Sequence, residues 1–263
     1  MIPPTSIDGT DITGATIDGT DVQEITVDGD VVFSAAPPVP IPTNQLQIWF
    51  SASQETSANN TTINTLPDFS GNNRNATFAH EDKAVYKTSG GKMNGAAYYE
   101  FDGGYDTSYI PPDTNGFSLF LVYNNSSDPP IDQYDVQFDF GGGAFADHLP
   151  FRGGDFYISL GSSSRWVSGV SGLDSDNVHL LYIYGDGSSL VAEQYDGNTS
   201  NTLGTQSSSF YTFNRSVIIG TNSAFQDYLN GEVYEVLFYD KYLTSAEETQ
   251  IGNFLNPLYG LNF

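Results

Sequence analysis

The sequence contains no cysteine, which removes disulfides, thiolate metal sites and thiol redox chemistry and leaves stability to the core, to ions or to assembly. Basic residues are scarce: eight Lys plus Arg stand against 32 Asp plus Glu, for a formal net charge of -24. Such a surface repels a phosphate backbone, so nucleic acid is not an expected partner. Self-repulsion of this size is screened where the Debye length falls to about 3 Å, near molar salt. A saline setting therefore fits best, and an acidic surface at ordinary ionic strength or one loaded with calcium is the competing reading. Long apolar runs are also missing, none approaching the roughly 20 residues that span a bilayer. Met1–Asp8 lacks the basic and apolar regions of an export signal, so neither membrane insertion nor a secretion signal is expected.

What is present is a chain of 263 residues, 38% hydrophobic and 14% aromatic, long enough to bury one sizeable core. Its apolar runs are short and separated by Gly, Asn, Ser, Thr and Asp, the pattern of many strands and few helices. Strands are expected at 46–50, 97–101, 117–123, 136–140, 156–160, 178–184, 190–195, 217–220 and 233–239, with Gly185-Asp186-Gly187 suited to a tight hairpin. One helix is expected near the end. Thr244-Ser245-Ala246-Glu247 is a capping box, Ile251, Phe254 and Leu255 form an apolar face, and Pro257 is expected to stop it.

The first 36 residues carry a ten-residue repeat: Ile7-Asp8-Gly9-Thr10-Asp11-Ile12, Ile17-Asp18-Gly19-Thr20-Asp21-Val22 and Val27-Asp28-Gly29-Asp30-Val31-Val32. Asp-Gly between β-branched residues favours a tight hairpin turn, so three small hairpins are expected. Such hairpins bury little alone, which points to anchoring or homo-oligomerisation through Ile7, Ile12, Ile17, Val22, Val27 and Val31, against the alternative of a flexible tail. Residues 37–44 are a Pro-rich linker, and residues 45–263 form the main domain.

Three blocks of that domain resemble the laminin-G-like, concanavalin A-like jellyroll family of microbial and viral surface proteins. They are Leu46–Ser53 with Asp68-Phe69-Ser70-Gly71-Asn72, then Tyr99-Glu100-Phe101-Asp102-Gly103, and finally Gly231–Tyr239 followed by Leu243, Thr244, Glu247 and Tyr259-Gly260-Leu261. The resemblance implies an all-β concanavalin A-like jellyroll β-sandwich with one short C-terminal helix. It also implies a calcium ion, with oxygens from Asp68, the Gly71 and Asn72 region, Asp102 and Glu235; Tyr234 stands where many relatives carry Asp. The opening repeats resemble the N-termini of structural proteins from tailed viruses of halophilic archaea.

Catalytic patterns are thin. Asp135, Gln137 and Asp139 have the alternate spacing of a glycosidase carboxylate pair, but the middle position is an amide and the face more simply meets solvent. Trp49 reads as core, whereas Trp166, Tyr105, Tyr109 and Tyr134 are candidate ligand-binding aromatics, Trp166 with an edge-strand core role as the stronger alternative. The expectation is a protein without enzymatic activity at a virion surface, on capsid or tail. It would contact other virion proteins through the repeats and host glycan or glycoprotein through the head. A structural capsid decoration, a prokaryotic surface adhesin and a glycoside hydrolase are the alternatives.

Overall fold

The computed structural model describes residues 41–81, 83–93, 95–125, 177–197, 200–207, 213, 216–221 and 229–263, together with backbone strands at the N-terminus and between 135 and 167. The chain divides into two units, Met1–Ile41 and Pro42–Phe263. In the first, Ser6–Ile7 pairs with Thr10–Asp11, Thr16–Ile17 with Thr20–Asp21, and Glu24–Val27 with Asp30–Ser34, all antiparallel. Ile7 faces Thr10, Ile17 faces Thr20 and Val27 faces Asp30, while the expected Asp-Gly turns lie outside the described residues. Of the six apolar residues expected to anchor, Ile7, Ile17, Val27 and Val31 fall in these strands, while Ile12 and Val22 lie outside the described residues.

The second unit is an all-β sandwich with one C-terminal helix. Its main described elements are β1 (Leu46–Ser51), β2 (Ala76–Glu81), β3 (Val85–Lys87), β4 (Tyr98–Asp106), β5 (Phe117–Asn125), β6 (His179–Gly185), β7 (Ser189–Tyr195), β8 (Ser200–Ser207), β9 (Ile218–Ile219), β10 (Asn230–Tyr239) and α1 (Ser245–Tyr259). One sheet runs β8-β7-β6-β5-β10, and the far edge of β10 is shared, β4 pairing with its first half and β1 with its second. The other sheet joins β2, the end of β4 and β9 to the strands at 135–139, 148–152, 155–160 and 163–167.

Strand β4 belongs to both sheets, and glycine makes the bend possible. Tyr99 to Asp102 pair with β10, whereas Gly103 to Asp106 pair with β2. A Cβ at Gly104 would lie 1.9 Å from Thr221 Cγ2, so no side chain fits where the strand changes sheets.

Strand β5 reads Phe-Ser-Leu-Phe-Leu-Val-Tyr without polar alternation because both its faces are covered. Leu119, Leu121 and Tyr123 join the inter-sheet core with Phe50, Ile183 and Phe238, while Phe120 faces the opposite way and stacks on Tyr182 at 4.3 Å. Each fully buried side chain of this size stabilises by about 1.5–3 kcal/mol. The helix covers that outer face with Ile251, Phe254 and Leu255, all buried.

At the helix N-terminus Thr244 accepts from the Glu247 N–H and the Glu247 carboxylate accepts from the Thr244 N–H at 3.0 Å, the expected capping box. The stop lies later than expected. Pro257 sits inside the last turn, forgoing one backbone bond, and the helix ends at Gly260, whose left-handed φ of 59° lets its N–H close on the Asn256 carbonyl at 2.8 Å.

Candidate functional site

Two arrangements of carboxylates stand out, and their surroundings separate them. The first is centred on Glu235. Strand β10 bulges against β5, Val122 pairing with Glu235 and Tyr123 with Val233, so Tyr234 is the extra residue. Val233 and Val236 both face the core, three positions apart, and the bulge turns Glu235 to the other face. There it accepts hydrogen bonds from Ser51 Oγ at 2.7 Å, Tyr259 Oη at 2.8 Å and Ser53 Oγ at 3.0 Å on Oε1, and from Trp49 Nε1 at 3.0 Å on Oε2. Burial pushes its carboxyl up to about 7, outweighing the four donors that favour the charged form. A perturbed carboxylate often marks an active site, but this one is 1% exposed and each oxygen is already engaged. Its role is to tie β1, β10 and α1 together.

The second arrangement is open. Between Val85, which pairs with Glu100, and Glu81, which pairs with Gly103, the edge of β4 turned away from β10 has no neighbouring strand among the described residues. The chain crosses there from β2 to β3, and the gap is a cleft of about 600 Å³ lined by Thr62, Phe78, Lys83, Val85, Glu100, Phe101, Asp102 and Asn230. This volume lies within the range of about 300–1,000 Å³ usual for small-ligand sites. Glu100 and Asp102 occupy alternate positions of β4, both exposed, and project from one face. Asp102 faces Asn230 across the strands. Glu100 is paired with Lys87 at 3.2 Å, and the Lys83 ammonium stands 5.5 Å from the centre of the Phe78 ring. The cleft thus combines an aromatic side chain with carboxylates, an amide, a hydroxyl and an ammonium, the mixture that recognises a molecule with apolar C–H faces and many hydroxyl groups.

The residues expected to hold calcium do not converge. Asp68 Oδ1 accepts from the N–H groups of Trp49 and Ser70, both at 3.0 Å. Its Oδ2 accepts from Ser70 Oγ at 2.8 Å and the Arg74 N–H at 2.9 Å. Asn72 donates to the Leu46 carbonyl at 2.7 Å, and Gly71 supplies the left-handed turn, with φ at 89°. Donors therefore point where a cation would have to sit. Asp102 belongs to the cleft and Glu235 is sealed beneath α1. Among the described residues no three His, Asp or Glu side chains gather as a metal site, and this set does not fit the ion.

The aromatic expectations divide as well. Tyr105 is a core residue, fully buried, its hydroxyl donating to the Ile63 carbonyl at 2.6 Å and accepting from the Ala84 N–H at 2.8 Å, so it cannot meet a ligand. Tyr109 is half-buried beneath the Arg74 guanidinium, 3.5 Å from its ring centre. Trp166 lies on the strand at 163–167, opposite Tyr157. Tyr134 lies outside the described residues. Trp49, expected in the core, is half-buried and packed edge-on against Phe69 and Phe254 at 6.1 and 5.9 Å. Asp135, Gln137 and Asp139 fall on a described backbone strand at 135–139. The sequence does not single out the cleft residues Phe78, Lys83, Glu100 and Asn230; the available signal is the Glu-Phe-Asp alternation of 100–102, read there as a fold motif with Asp102 as a calcium oxygen.

No family model matches the chain and no curated protein sequence matches it significantly. Solved structures do share the fold. An arabinofuranosidase complexed with arabinofuranosyl-alpha-1,2-xylobiose aligns with a TM-score of 0.56 at 12% identity, over 76% of this chain and 51% of its own. A GH54 a-l-arabinofuranosidase soaked with a cyclic sulfate inhibitor aligns at 0.55 and 12%, over 76% and 52%. Domain 4 of AbnA, a GH43 extracellular arabinanase from Geobacillus stearothermophilus, in complex with arabinotriose, aligns at 0.53 and 16%, over 79% of this chain and 98% of that domain. The chain spans about half the length of the two arabinofuranosidases. At these identities the likeness is one of fold. It nevertheless overturns two expectations from the sequence, the virion structural role and the absence of enzymatic activity, because the β-sandwiches that this chain matches belong to glycoside-cleaving proteins.

Proposed function

We propose that the sandwich engages glycan chains as part of a carbohydrate-active enzyme, with the cleft beside β4 as the sugar site. The observation that carries this is the cleft itself, in which Phe78 offers a face to the C–H side of a sugar ring while Asp102, Asn230 and Thr62 are placed for its hydroxyls. The fold likeness to a domain in complex with arabinotriose and to an arabinofuranosidase in complex with a branched xylobiose supports the same reading. Titration with a panel of soluble polysaccharides and their oligosaccharides tests it. Binding is expected, with Asp102→Asn weakening it; a wild-type chain that binds none of them would exclude the cleft as a glycan site.

A second reading is favoured by one feature of the same cleft. Glu100 and Asp102 stand at alternate positions of β4, both exposed on one face, with Cα atoms about 6.8 Å apart. In an inverting glycosidase a pair of carboxyls divides the work, one protonating the leaving oxygen while the other activates water. Release of new reducing ends by the wild type and its loss in Glu100→Gln, with binding retained, would establish hydrolysis at this site. Binding without release would leave the sandwich as the sugar-holding module.

A further inference from the structure

The cleft contains a lysine whose surroundings differ from those of Lys87 and Lys241. Lys87 is paired with Glu100 at 3.2 Å, and Lys241 is paired with Glu247. Lys83 instead donates to the neutral Asn64 Oδ1 at 2.6 Å and stands over the Phe78 ring. In a chain with 32 carboxylates against eight basic residues, this exposed lysine meets an amide and an aromatic face and, among the described residues, no carboxylate. It does so within a ligand-sized cleft. Glu100, the carboxylate on the same wall, is neutralised by Lys87, which leaves Asp102 and its cross-strand partner Asn230 as the polar pair for hydroxyl groups.

We propose that the glycan received here carries a carboxylate and that Lys83 binds it, making uronate-bearing oligosaccharides the preferred class. This rests on the reading of the cleft as a sugar site. A carboxylate entering the cleft gains a charge-assisted hydrogen bond from Lys83 beside the Phe78 ring. Because the net charge of -24 repels anions at long range, the selection is made at contact and not by steering.

Calorimetric titration of the full chain with length-matched trisaccharides, galacturonate against galactose and glucuronate against glucose, tests the proposal in about 0.15 M salt. At least one uronate trisaccharide is expected to bind about tenfold more tightly than its neutral counterpart, the scale of one charged hydrogen bond. Lys83→Gln is expected to abolish that difference, and Lys83→Arg to keep most of it. Thermal melting of both variants confirms that the fold is intact, as the exposure of Lys83 leads one to expect. Equal binding of the paired trisaccharides, or a preference that survives in Lys83→Gln, overturns the inference while leaving the glycan reading in place. Failure of every trisaccharide and every polysaccharide to bind overturns both.

Discussion

Glu235 and Asp102 are carboxylates on neighbouring strands of one sandwich, and they differ in almost everything that decides what a carboxylate can do. Glu235 has four donors, no contact with water and a protonation equilibrium displaced towards neutrality. Asp102 is exposed at the mouth of a cleft, paired with Asn230 on one side and, among the described residues, with no strand on the other. The contrast teaches that a perturbed acid is not by itself a functional one. When each oxygen has a donor inside the fold, the carboxylate holds elements together; when the donors are few and the walls are concave, it is free for a ligand.

The sharpest way to test that contrast is to delete each acid in turn. Glu235→Ala leaves Trp49 Nε1 and the hydroxyls of Ser51, Ser53 and Tyr259 without their common acceptor, and is expected to cost about 4 kcal/mol in urea unfolding. A loss below about 1 kcal/mol would mean that the helix docks without the cluster. The pH dependence follows from the same group. Its folded pKa, near 7, lies above the ordinary carboxylate value of 4.5, so the folded state holds the proton more tightly than the unfolded one. The associated stability is complete below about pH 4.5 and is lost as the pH rises through 7. Glu235→Gln should remove this slope, and the difference between wild type and variant should change by on the order of 3 kcal/mol between pH 4 and 8.

How much of this was legible in the sequence depended on whether a residue's role is local. The capping box at Thr244 and Glu247 needs only four consecutive residues and was read correctly, as was the hairpin at Gly185-Asp186-Gly187, where the Asp186 N–H donates to the Ser189 carbonyl at 3.2 Å. Strands with apolar periodicity, such as 117–123 and 233–239, were visible for the same reason. Strand β8, Ser-Asn-Thr-Leu-Gly-Thr-Gln-Ser, carries almost no apolar signal and exists because β7 offers it an edge. The cleft was illegible because it is made by an absence of pairing between residues 81 and 85 opposite a strand that changes sheets, a relation among three segments. Tyr105 was misjudged because its surrounding glycines and aspartates suggest a loop, whereas those glycines form the corner that buries it. The calcium expectation failed on donors: the Asp68 loop has the residues of an ion cage, but its own N–H groups fill the carboxylate.

Tyrosines extend the comparison to smaller effects. Tyr105→Phe strands a buried carbonyl and a buried N–H and is expected to cost about 2 kcal/mol. Tyr109→Phe, which loses a 3.4 Å contact with Gln47 and a bond with Arg74 at a half-buried position, should change stability by less than about 1 kcal/mol. Equal losses for the two would show that burial does not set the cost of an unmet hydrogen bond here, and urea midpoints measured side by side decide it. Thr244→Ala removes a cap at the helix that seals Glu235 and should cost about 1 kcal/mol.

At Asp102 a very small effect on stability is expected beside a large effect on binding. Asp102→Asn keeps the shape of an exposed side chain and breaks no ion pair among the described residues, so its unfolding midpoint should match the wild type within about 0.5 kcal/mol. The same substitution weakens a bond to a sugar hydroxyl, because a carboxylate accepts more strongly than an amide oxygen, and should lower glycan affinity about tenfold. Stability and affinity therefore respond in opposite order at the two acids. Glu235→Gln changes the melting curve and its pH dependence, with affinity following only as the folded fraction falls, and Asp102→Asn changes affinity alone. A variant of Asp102 that lost stability as Glu235 does would place it inside the structural network and remove it from the ligand site.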